Sequence, residues 1–136
     1  MTDTPFPITI FHNPRCGTSR NVVALVEAAG YSPTVVPYLT TGWTADQLTD
    51  LAARSGEGLR GLLRGKEVQA EALGLNDPAV SDAVLLAAMV AEPVLVNRPI
   101  VVTPLGVVLA RPSERVLEVL DRAPEHFTKE DGEVVR

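Results

Sequence analysis

Residues 8–38 constrain the fold more than any other part of the chain, because the apolar period switches from two to 3.6 and back within them. Ile8-Thr9-Ile10-Phe11 alternates as a short strand and is punctuated by His12-Asn13-Pro14. After Gly17 the spacing turns helical, with Val22, Leu25, Val26 and Ala29 on one face and Gly30 placed to stop the helix. Thr34-Val35-Val36-Pro37-Tyr38 then reads as a second strand, which Pro37 marks as an edge or an end. Strand, turn, helix and strand in about 30 residues is the length of a βαβ unit.

The rest of the chain fills in around that unit. Thr44 and Gln47 form a capping box ahead of Leu48, Leu51 and Ala52, and Leu59, Leu62 and Leu63 continue a helical stretch. A short helical turn near Glu71 to Leu73 is stopped by Gly74, and a longer helix is expected from about Ser81 to Glu92, ahead of Pro93. Ile100 to Thr103 and Val107 to Ala110 flank Thr103-Pro104-Leu105-Gly106, a type I turn pattern that predicts a hairpin. Ser113 is placed to cap a last helix that turns Val116, Leu117 and Leu120 inward. From Pro124 the chain is polar and is expected to be its least ordered part.

This order resembles the plan of a thioredoxin-like domain: α/β, with a mixed four-stranded sheet and a helical insertion between the second and third strands. One domain is expected over residues 1–136, with the insertion at about 44–92 and a looser tail at about 124–136. At 46% hydrophobic the chain has enough apolar content for a core without staples. A net charge of −5 offers no global field for nucleic acid or acidic membranes. Residues 1–7 lack the pattern of a signal peptide, and the most apolar stretch, Val84 to Val96, is broken by Glu92 and Pro93. A single cysteine excludes an internal disulfide and fits a reducing cytoplasm.

That cysteine, Cys16, falls between the first strand and the first helix. Free amides at a helix N-terminus favour a thiolate and a bound oxyanion alike. Burial as an inert apolar residue is the competing reading, and the polar run His12 to Ser19 argues against it. His12 is either a cation or proton carrier beside the thiol, or simply the end of a strand. Arg15 and Arg20 read as solvated neighbours. Arg64, Arg98 and Arg111 each close an element, where guanidinium groups can converge on a tetrahedral oxyanion. Spacing alone does not bring the three together, and each also reads as a surface residue. No metal-ligand set is expected.

Ile8 to Asn21 (ITIFHNPRCGTSRN), Asn97 to Gly106 (NRPIVVTPLG) and Arg111 to Glu114 (RPSE) together resemble the glutaredoxin-coupled arsenate reductase family. Leu62-Leu63-Arg64, Glu71 to Leu75 and Phe127 to Gly132 extend the resemblance over nearly the whole chain. It implies Cys16 as nucleophile, His12 as a residue favouring the thiolate, Arg64, Arg98 and Arg111 as oxyanion ligands, and a cis Arg98-Pro99 bond. It further implies arsenic detoxification in the cytoplasm, with no bound cofactor. An external thiol, glutathione or equivalent, would be co-substrate, glutaredoxin the redox partner, and the protein a monomer. One departure is the end of the chain, Arg136, which stops short of the basic C-terminal helix the resemblance implies, so no role is assigned to the terminus.

Three other readings compete for the same residues. A phosphatase-type anion loop needs an arginine six positions after the cysteine, and Val22 stands there. A monothiol glutaredoxin-like protein fits Cys16-Gly17-Thr18-Ser19, would hold an iron–sulfur cluster, and gives no reason for Arg64 and Arg111. The redox-regulatory proteins of this fold that bind RNA polymerase sense oxidation through a second cysteine, where Ser19 stands here, so that switch is absent and redox-insensitive binding to the polymerase stays open as the alternative.

Overall fold

The computed structural model describes residues 6–125 and 127–135, with only the backbone of Val135. The expectations for residues 1–5 and for Arg136 lie outside the described residues. The chain divides into two compact units, one built from the residues up to Pro37 and from Arg98 onward, the other from Tyr38–Asn97.

The first unit is organised by a four-stranded sheet in the order β2-β1-β3-β4, with β1 at Thr9–His12, β2 at Thr34–Pro37, β3 at Ile100–Thr103 and β4 at Gly106–Leu109. β1 and β2 are parallel, joined by α1 (Gly17–Ala28), whereas β3 pairs antiparallel with both β1 and β4. This is the mixed thioredoxin-like sheet expected, with β2 as the edge strand that tolerates Pro37. The apolar stripe of α1 lands as its spacing predicts. Val22, Leu25 and Val26 are fully buried with Ile10, Val101, Val108 and Ala110, in a core that Val116 and Val119 complete. Gly30 ends the helix at φ 97°, a conformation costly for a residue with a Cβ.

Two expectations in this unit are corrected. The second strand stops at Pro37 rather than Tyr38, whose ring is buried instead at the start of the second unit. The segment after Arg111 is a 3-10 helix, Ser113–Val119, with Pro112 rather than Ser113 at its cap. Ser113, Val116 and Val119 are all buried, and three-residue spacing puts them on one face of a helix with three residues per turn. Within the tail, β5 (Phe127–Thr128) and β6 (Val134–Val135) pair antiparallel. Lys129, between them, is buried with its ammonium 2.6 Å from Glu114 and 3.1 Å from Glu133.

The second unit is helical: α2 (Tyr38–Thr41), α3 (Ala45–Ser55), α4 (Gly58–Leu62), α5 (Val68–Ala72) and α6 (Asp82–Ala91). Thr44 and Gln47 form the expected reciprocal capping box on α3, and Ser81 caps α6 through the Val84 amide. Leu48, Leu62, Leu85, Met89 and Leu95 are fully buried. Arg60 donates to the carbonyls of Leu75, Asp77 and Val80, which satisfies a loop that has no ladder of its own. Among the described residues no helix is long and apolar enough to cross a membrane.

Candidate active site

The turn that carries the cysteine is set by its own sequence. Asn13 precedes Pro14, the residue pair that favours the first two positions of a type I turn. The Cys16 amide donates to the Asn13 carbonyl at 3.0 Å and the Arg15 amide to Asn13 Oδ1 at 2.9 Å. Asn13 and Ser19 are buried, and the Asn13 amide reaches Ser19 Oγ at 3.4 Å. This turn delivers Cys16 as the residue capping α1, with extended backbone at φ −94°, ψ 120°.

Cys16 is buried, at 8% exposure, yet its surroundings are those of a thiolate. Burial pushes the thiol up. The N–H of Ser19 in the first turn and the guanidinium groups of Arg98 and Arg111 more than reverse that, and bring it from 9.0 down to about 7. The inert-core reading of this cysteine therefore fails on chemistry, even though its burial is real.

Arg98 and Arg111 reach Cys16 through β3 and β4. The Arg98-Pro99 bond is cis, as the resemblance implies, and Arg111-Pro112 is also cis, which the sequence did not signal. The Ala110 amide donates to the Pro99 carbonyl at 3.0 Å, which keeps the segment beyond β4 beside the cis bond. Arg111 Nη1 donates to the Arg98 carbonyl at 2.9 Å and lies 3.5 Å from Cys16 Sγ. Arg98 is itself buried, where a cation needs electronegative partners, and the thiol is one of them.

The other expected residues are placed differently. His12 ends β1, with Nδ1 buried and lacking a hydrogen-bond partner among the described residues. Burial, and then the charge of Arg20, lower its pKa from the ordinary 6.5, which disfavours the cationic form of His12. Arg64 lies in the helical unit. Its amide donates to the Leu95 carbonyl at 2.7 Å, and its guanidinium pairs with Glu67 at 3.1 Å and Asn97 at 3.3 Å. Of the three arginines, the first unit thus brings Arg98 and Arg111 to the thiol. The sequence reading gives Ser19 as part of the polar run, as the end of the Cys16–Ser19 motif and as the absent second cysteine, with no role for its amide. Its position in the first turn after a capping Cys16 is the signal by which its N–H could have been found.

A thiolate flanked by two guanidinium groups at a helix N-terminus can bind a tetrahedral oxyanion and attack its central atom. The comparisons with known proteins agree with that chemistry. The model of the ArsC family matches residues 11–119. Arsenate reductase ArsI2 of Synechocystis sp. is 54% identical over 129 residues, covering 94% of this chain and 92% of its own. The Escherichia coli arsenate reductase is 50% identical over the same shares of the two chains. The solved arsenate reductase from Vibrio cholerae matches with a TM-score of 0.82 at 39% identity, covering 86% of this chain and all of that one. A thiol flanked in this way on this sheet, with matches that run from β1 into the 3-10 helix, has one consequence for identity: the chain belongs to the ArsC family.

Proposed function

We propose that this ArsC-family enzyme, an arsenate reductase, works through a covalent adduct on Cys16 that an outside thiol resolves. The observation that carries the reading is the thiol brought to about 7 beside Arg98 and Arg111. The Cys16 thiolate attacks arsenic(V) of dihydrogen arsenate, and one oxygen takes up a proton and leaves as water. The product is a Cys16–arsenate thioester. Arg98 and Arg111 hold the oxygens and spread the charge, and Arg64 is assigned the third oxyanion contact. His12 is assigned a hydrogen-bonding role in favour of the thiolate.

Reduction to arsenic(III) needs two electrons. In the net second step a thiol forms a disulfide with Cys16, the S–As electron pair passes to arsenic, and the thiol proton goes to the released arsenite. With one cysteine in the chain, that thiol comes from outside. Glutathione or an equivalent is assigned as the small thiol, and glutaredoxin as the partner that restores Cys16 by exchange on the mixed disulfide. No bound cofactor enters this balance. The reading takes residues 1–136 as one thioredoxin-like reductase domain, a cytoplasmic monomer acting in arsenic detoxification.

The test is a coupled assay with arsenate, phosphate and several thiol–glutaredoxin pairs, read as arsenite formed. Arsenite should appear only with arsenate and an added thiol, and Cys16→Ser should fold normally and form none. Turnover in Cys16→Ser would overturn the mechanism. Arg111→Ala and Arg64→Ala should each weaken arsenate use at least about tenfold with little change in stability, the scale of losing one charge-assisted contact. Unchanged kinetics in either variant would remove that residue from the site.

A further inference from the structure

The C-terminal hairpin makes a contact that the reaction does not use. Glu130, in the turn between β5 and β6, accepts from Arg20 Nε at 2.8 Å and from Arg20 Nη2 at 2.9 Å, one carboxylate oxygen to each. The remaining guanidinium nitrogen, Nη1, donates to the Pro14 carbonyl at 2.8 Å. The Glu130 amide in turn donates to Asn21 Oδ1 at 3.0 Å. The pair lies against Gly17, the residue after the nucleophile: a Cβ there would meet Glu130 Oε1 at 3.6 Å and Arg20 Nη2 at 3.7 Å. The other side of the hairpin is fixed through buried Lys129 to Glu114, three residues after Arg111.

An exposed ion pair contributes little stability by itself. Its use here is directional. A guanidinium held in a two-point fork has its plane fixed, so its third nitrogen is fixed as well. That nitrogen ties the carbonyl of Pro14, inside the turn that presents Cys16, to the first turn of α1. The charge of Arg20 also acts on its surroundings, lowering the pKa of His12.

We propose that Glu130 is a positioning residue for the Cys16 thiolate: by holding Arg20 in a fork it fixes the Asn13–Cys16 turn that presents the sulfur. The proposal rests on Cys16 being the nucleophile. Two roles for Glu130 predict opposite signs. If Glu130 acts only as a nearby negative charge, removing it eases thiolate formation. If it positions Arg20, removing it releases the turn and makes the thiolate harder to form.

The experiment is the pH dependence of iodoacetamide alkylation on the full chain, which reads Cys16 alone because no other cysteine exists. Glu130→Ala should alkylate about threefold more slowly at pH 7, with the midpoint moved upward. Glu130→Gln, which keeps one acceptor, should recover part of the loss. Arg20→Ala should behave like Glu130→Ala, and the double variant should be no slower than the slower single one. An unmoved or lowered midpoint in a folded Glu130→Ala, or strictly additive losses in the double variant, would overturn the proposal. So would a drop in melting temperature without a change in the pH profile. Because arsenate is absent from the assay, these failures are separate from failure of the reductase reading. A wild-type Cys16 titrating like an ordinary thiol would overturn both.

Discussion

At the scale of the residue, the behaviour of Cys16 follows from which influences win. Burial disfavours the thiolate, and one backbone N–H with two guanidinium groups overrides it. The sign of the resulting pH dependence is fixed. A thiol whose pKa is depressed on folding, from 9.0 to about 7, adds stability that is fully present above the unfolded value and lost as pH falls through about 7. The melting temperature of wild type relative to Cys16→Ser should therefore rise as pH is raised from about 6 to about 9. Thermal melts across that range check it, and a constant difference would contradict the depressed thiol. What the sequence showed at this scale was uneven. The place of Cys16 at a strand-to-helix turn was legible from punctuation. The lowered pKa of His12 was not, because it depends on burial and on Arg20, eight positions away.

At the scale of the element, the helices with explicit caps were the most legible parts. Thr44 and Gln47 satisfy each other's backbone amides at 3.1 and 3.4 Å, a local exchange that needs no tertiary information. Thr44→Ala should cost about 1 kcal/mol of stability and leave Cys16 alkylation unchanged. Chemical denaturation together with the alkylation rate tests this. A loss near zero would mean that solvent replaces the cap. The segment after Arg111 was legible as helical but not as 3-10. Ser113, Val116, Leu117, Val119 and Leu120 give apolar or small residues for either period, and the packing of the first unit buries the three-residue set. The tail hairpin was missed because its strands are two residues each. Phe127 packs against the core of the first unit, and Lys129 and Glu130 pair with Glu114 and Arg20, contacts to parts of the chain distant in sequence.

At the scale of the whole molecule, an oxyanion that binds the folded chain and not the unfolded one stabilises it by mass action. Arsenate and phosphate share shape and charge, so both should raise the melting temperature in a concentration-dependent way, and only arsenate should lead to thiol oxidation. A melting temperature indifferent to both anions would contradict an anion site at Cys16. The sequence by itself determined the βαβ opening, the mixed sheet, the cap of α3 and the start of α6, and the single cysteine on which the proposal of an outside thiol rests. Each of these follows from local period, local hydrogen bonding or a count. Only the tertiary structure decided that Arg98 and Arg111 meet at one sulfur and that Glu130 lies beside Gly17. Those contacts join residues 13 to 113 positions apart. No spacing encodes them, because they exist only once the strands have paired and the turns have closed.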